Sequence, residues 1–157
     1  MRYAQPRRVR WDCRSRKLPA VAVSASRKAL TSSSQALADA ADLIEGEPAY
    51  LLEFYAAECA LKAAVVRHFC VPGWDNLSPD IRRDHQHHDL RRLAKDISAG
   101  GPAADDLIDC RRRGKSERVA IKDVHAAWRY GSKLDTADEG QLRNGLRNVR
   151  RWLKERE

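Results

Sequence analysis

The stretch EPAYLLEFYAAECALKAAVVRHFCVPG, residues 47–73, constrains the fold more than any other. Pro48 suits a first helical turn, where a missing N–H costs nothing, and Pro72-Gly73 closes the run. Between them Leu51, Leu52, Tyr55, Cys59, Lys62 and Val66 follow one another at helical spacing. Leu61, Val65 and Phe69 widen that face. A helix of about 22 residues with so many apolar side chains must be covered by other elements. The spacing therefore predicts the central helix of a core.

The remaining segments read as its cover. TSSSQALADAADLIEG opens with serines suited to an N-cap and carries Ala36, Leu37, Ala40, Leu43 and Ile44 at helical spacing before Gly46. HDLRRLAKDI places Leu90, Leu93, Ala94 and Ile97 at i, i+3, i+4 and i+7. AADDLIDCRRR reads as a shorter helix, with acids at its start and Arg111, Arg112 and Arg113 as a solvated last turn, matching the macrodipole. RVAIKDVHAAWRYG is a further helical segment ending at Gly131, and a last helix runs from about Thr136. No alternating strand pattern stands out. The expected fold is all-α: a four- to five-helix up-and-down bundle over residues 31–157, behind a basic, poorly ordered arm over 1–30.

The charge distribution sharpens that division. The net charge is +8, and residues 1–28 hold nine Lys/Arg against one acid, Asp12. The remainder is balanced, with 21 basic and 21 acidic side chains. Arg7, Arg8, Arg10, Arg14, Arg16 and Lys17 can neutralise phosphates whatever the nucleic-acid sequence. The alternative is a solvated leader. The segment lacks the apolar run of a secretory signal, and its Arg- and Ser-rich composition resembles a transit peptide only in outline. No apolar run of membrane-spanning length occurs. Cys13, Cys59, Cys70 and Cys110 form no CxxC pair, so they read as reduced thiols of a cytoplasmic protein, with no metal or other cofactor expected.

The order of motifs resembles the HEPN superfamily. YLLEFYAAECALKAAVVRHF contains an aromatic followed by A-x-E-x-A-L-K-A; H-D-L follows at His88-Asp89-Leu90, and an R-Y pair at Arg129-Tyr130. The resemblance covers about Ala36 to Leu153. It implies a helical bundle, a homodimer, and a role in RNA cleavage, nucleotide-linked toxin–antitoxin pairs or phage defence. Catalytic members carry Arg, a polar residue and then a His, with four to six positions between the Arg and the His, and two such motifs meet across a dimer to cut RNA without metal. The late helix here has Arg143-Asn144 and Arg147-Asn148 with no His after them. The resemblance therefore points to a member outside the catalytic class, or to one with a displaced site.

The displaced site would lie in RRDHQHHDLRRL, where Arg83 and His88 fit the motif and Arg82, Arg91 and Arg92 could contact phosphate. The structural alternative makes His88 or Asp89 the cap of the following helix. A metal reading needs His85 and His87 with Asp84 or Asp89. Glu58 and Lys62 are four apart in the order that favours an ion pair. Arg129 and Tyr130, after Trp128, form either a packing corner or a platform for a base.

Three functions remain open from the sequence. The first is a non-catalytic module that binds RNA, a nucleotide or a protein in a defence or toxin–antitoxin setting. The second is a metal-independent ribonuclease toxin using Arg83 and His88 across a dimer. The third is a mobile-element regulator acting by protein contact. In a toxin–antitoxin setting a partner protein such as a nucleotidyltransferase would fit. A homodimer is expected through the last helix, where Leu142, Leu146, Val149 and Leu153 form a stripe widened by Trp152.

Overall fold

The computed structural model describes residues 25–84, 88–97 and 105–156. Within them the chain forms six α-helices, a short 3₁₀ turn at Trp74–Asn76 and one small β-ladder. The helices are α1 (Arg27–Asp42), α2 (Glu47–His68), α3 (Pro79–Asp84), α4 (Leu90–Asp96), α5 (Ile121–Arg129) and α6 (Thr136–Lys154). A mostly helical fold is thus present, with α2 packed against α1, α4, α5 and α6. No helix of the described residues is long and apolar enough to cross a membrane.

Local chemistry sets the boundaries. Ser26 caps α1 by accepting from Ala29 N at 3.1 Å, so the helix starts four residues before the sequence boundary at 31. Asp89 caps α4 through Arg92 N, and Asp135 caps α6 through Ala137 N and Asp138 N. Ser26 also bridges to Gly73, and Trp74 N donates to the Ala25 carbonyl at 2.9 Å. The start of α1 is thereby tied to the loop after α2.

Two expectations change in phase. In α1 the buried positions are Leu30, Ser34, Ala38 and Ala41, while Leu43 is 84% exposed and Ile44 lies beyond the helix. Small side chains on that face let α1 lie close to α2, and the larger apolar residues fall outside the contact. In α2 burial extends round most of the helix, to Ala49, Phe54, Ala56, Ala57, Leu61 and Ala63 to Val66, while Phe69 is exposed. The same buried surface carries two carboxylates, Glu53 and Glu58.

One element differs in kind. The arginine end of the segment expected as a short helix forms a ladder instead, pairing Cys110 with Val119 and Arg111 with Arg118, while Asp105 is helical. Leu107 and Cys110 are fully buried there. Burial pushes the Cys110 thiol up to about 12. Arg111 donates to Asp138 from its backbone N and from Nε, at 2.8 and 2.9 Å, and Arg113 Nε donates to the Leu134 carbonyl. These long-range partners outweigh the local helical preference.

The last helix belongs to the chain's own core. Leu142, Leu146, Val149 and Leu153 are all buried within it. Trp152 is half-buried, with the Arg156 guanidinium 4.1 Å above its ring. Gly145 touches the segment before the ladder so closely that an added Cβ would sit 2.6 Å from the Asp106 carbonyl oxygen.

Candidate functional site

Residues far apart in sequence converge where α2 meets α4 and α5. α2 is helical throughout, so Tyr55, Glu58 and Lys62 lie one turn apart along one side. Glu58 is almost fully buried; its Oε2 lies 2.9 Å from His88 Nδ1, and its Oε1 lies 2.6 Å from Lys62 Nζ, outside hydrogen-bond geometry. His88 stands two residues before α4 with φ of 54°, a left-handed conformation that costs about 1–3 kcal/mol. Its bond to Glu58 helps hold that backbone in place.

α5 supplies the other side. His125 lies 4.4 Å from His88, centroid to centroid, and stacks on Phe54 at 5.4 Å. Tyr55 meets the His88 ring edge-on at 6.2 Å and the His125 ring at a tilt at 6.1 Å. One turn on from His125, Arg129 donates to the Tyr55 hydroxyl and lies 6.0 Å from its ring. Lys62 also stands 5.2 Å over Trp74.

The electrostatics separate these groups. Burial raises Glu58, but Lys62 and His88 outweigh it and hold the carboxyl below the usual range. For His125, burial comes first, followed by His88 and Arg129, and together they hold the imidazole below its ordinary range against Glu58 and the Lys122 backbone. Its Nδ1 is buried without a hydrogen-bond partner among the described residues. The cluster thus holds a neutral imidazole, a second imidazole anchored through one nitrogen, and an exposed arginine. Such a set can bind a phosphate or pass a proton to and from it.

The residues expected from the sequence are distributed as follows. His88 and Arg129 lie in the cluster. Arg83 pairs with Asp80, and its described contacts do not include His88. Arg91 donates to the Leu107 carbonyl and pairs with Asp109 at 3.0 Å; Arg92 pairs with Asp84 at 2.6 Å. Arg82 buries an Nε that has no hydrogen-bond partner among the described residues. Tyr130 is 78% exposed. Arg7, Arg8, Arg10, Arg14, Arg16 and Lys17 lie outside the described residues, as do His85 and His87, on which the metal reading rests.

The late-helix arginines are committed elsewhere. Arg143 grips the buried Glu53 with Nε and Nη2, at 2.9 and 2.8 Å, and Arg147 reaches the same carboxylate at 2.6 Å. Tyr50 lies 4.1 Å beneath Arg143.

His125 escaped the sequence reading. Its signal was present as the residue four before Arg129 in VHAAWRY, hence on the same side of α5. Only the packing of α5 on α2 shows that this side meets His88. No family model, curated protein or solved structure matches the chain.

Proposed function

We propose that the chain is a HEPN-like helical protein that binds RNA through the cluster of Tyr55, His88, His125 and Arg129, as part of a defence or toxin–antitoxin system. One observation carries this reading. The three motif pieces behind the resemblance meet physically, since Glu58 joins Lys62 of A-E-C-A-L-K-A to His88 of H-D-L, and Arg129 of the R-Y pair binds Tyr55. The motif order has a mechanical reason if its parts build one surface. A partly exposed aromatic and arginine beside two imidazoles suit a base and its phosphate. The basic N-terminal segment adds affinity without sequence preference.

Fluorescence anisotropy with a labelled single-stranded RNA tests the reading. Arg129→Ala should weaken binding about tenfold, as expected for loss of a charge-assisted contact. Deleting residues 1–24 should reduce the salt slope and leave that Arg129 effect in place. The deletion stops short of Ser26, whose cap α1 needs. Equal affinity of wild type and Arg129→Ala argues against the cluster.

A second reading, metal-independent ribonuclease, is favoured by the 4.4 Å imidazole pair. In it His125 accepts the 2′-hydroxyl proton as that oxygen attacks phosphorus, and a ring N–H of His88 donates its proton to the departing 5′-oxygen. The products are a 2′,3′-cyclic phosphate and a 5′-hydroxyl. Here His88 pairs with His125 instead of Arg83. Cleavage in excess chelator that His125→Ala abolishes selects this reading; binding without cleavage selects the first. Either is compatible with a homodimer and with a nucleotidyltransferase partner, as the resemblance implies.

A further inference from the structure

The outer face of α1 carries an apolar surface that no other described element covers. α1 packs on α2 through Leu30, Ser34, Ala38 and Ala41. A second stripe, apolar but for Ser33, runs along Ala29, Ser33, Ala36, Ala40 and Leu43, spaced four, three, four and three residues apart. With that spacing a helix meets a partner along its whole length. Every member except half-buried Ala40 is exposed. The stripe ends in two large neighbours, Leu43 at 84% and Ile44 at 43% exposure. Single exposed apolar side chains are ordinary, whereas adjacent ones that continue a helical stripe mark a contact surface. The apolar periodicity of this segment thus belongs largely to a face that the bundle leaves outward.

Charge and reach identify what covers it. Asp39, Asp42 and Glu45 frame the Leu43 end, all exposed. Asp42 lies 4.0 Å from Arg147, whose closer contact, at 2.6 Å, is with Glu53, and Arg150 acts on Asp39 and Asp42 while its hydrogen bond goes to Ser34. Residues 1–24 are complementary, with seven Lys/Arg against Asp12 alone. They join the described chain at Ala25, whose carbonyl is tied to Trp74 N beside the start of α1, so they enter at one end of this face. The sixteen residues of α1 span about 24 Å. Returning over that distance takes about 7 residues fully extended and about 16 at helical rise. The residue arriving at Leu43 therefore falls between about 9 and 18. That window holds Val9, Trp11 and Leu18 among Arg10, Arg14, Arg16 and Lys17.

We propose that the chain's own N-terminal segment, residues 1–24, docks on the outer face of α1, laying apolar side chains on Leu43 and Ile44 and basic ones against Asp39, Asp42 and Glu45. A second copy of the chain is the competing occupant. A tethered segment faces α1 at an effective concentration on the order of millimolar, which a separate chain in dilute solution does not reach. The docking does not rest on the RNA reading. If that reading holds, RNA phosphates and the acids of α1 compete for the same arginines, and the segment is released as RNA binds.

The test attaches a nitroxide to Cys13 of the full chain and reads the loss of backbone amide NMR signals near it. Cys59→Ser and Cys70→Ser remove the other accessible thiols, and Cys110 is fully buried and does not react. Signals of Ala36 to Glu45 should be lost to a greater extent than those of Ser26 to Ala29 beside the tether, while those of Leu90 to Asp96 in α4 remain. Leu43→Asp, and Asp42→Lys with Glu45→Lys, should each restore the lost signals. These positions are exposed, and unshifted α4 signals confirm that the variants fold. A mixture of nitroxide-bearing chain without isotope and isotope-labelled chain without nitroxide should show no loss. Loss greatest at Ser26 to Ala29 would mean a segment that moves freely, and would overturn the docking. So would a loss that both variants leave in place. Loss at Ala36 to Glu45 in the mixed sample would overturn it too, assigning the face to a second copy.

Discussion

Glu58 holds His88 at 2.9 Å across thirty residues of chain, and through that bond a buried carboxylate fixes an imidazole in a left-handed backbone. Removing the carboxylate should release both. Glu58→Ala is expected to cost about 2–3 kcal/mol, below the range for a fully buried pair because Lys62 and His88 retain some solvent. Urea unfolding reads the cost, and hydrogen exchange at the start of α4 should speed up. An unchanged urea midpoint would mean that the bond contributes nothing.

Stability should peak near neutrality. Burial, with His88 and Arg129 beside it, keeps folded His125 below its ordinary range, so the unfolded chain takes up a proton first, near pH 6.5, and stability begins to fall. Glu53 and Glu58 are also held low, and hydrogen bonds from Arg111 hold Asp138 at about 2. Their contribution is complete above the unfolded carboxylate range and disappears as pH falls through the folded values. On the alkaline side Cys110, pushed up to about 12 by burial, resists ionisation while the unfolded thiol ionises near 8.5. Stability is therefore lost as pH rises from there. Urea midpoints at successive pH values should trace a dome; a midpoint higher at pH 5 than at pH 7 would contradict it.

Gly145→Ala separates packing from propensity. Alanine is the better helix former by about 1 kcal/mol, yet its Cβ would meet the Asp106 carbonyl oxygen at 2.6 Å. A net loss of about 1–3 kcal/mol is expected from overpacking. A gain in melting temperature would show that the segment before the ladder moves aside freely.

Burial of the last-helix stripe makes a distinction that sedimentation can read. Leu146→Ala should destabilise by about 2–5 kcal/mol as a core cavity without altering the oligomeric state, because its side chain is fully buried in its own chain. Trp152 is the member of that set with surface to offer a second copy. If the protein is the expected homodimer, Trp152→Ala should weaken it, and wild type sedimenting at 17.8 kDa would remove the dimer.

These tests follow the line between what the sequence revealed and what packing added. Helix starts marked by side-chain chemistry were legible, as with Asp89 before α4 and the onset of α6 at Thr136. The face of α1 was not, because small Ser34, Ala38 and Ala41 make the contact while Leu43 stays outside. The ladder at Cys110 was hidden because Arg111 is held by Asp138, distant in sequence. Glu58, Lys62, His88 and Arg129 were each singled out from local pattern. Their convergence, and the role of His125 within it, depend on which side of α5 meets α2.

The most direct measurement is a titration of single-stranded RNA into the protein, followed through the histidine ring signals in long-range proton–nitrogen NMR spectra. The ring resonances of His88 and His125 should shift together and saturate, while those of His68, exposed at the end of α2, stay in place. RNA that binds without moving either ring would contradict a functional surface built on this pair.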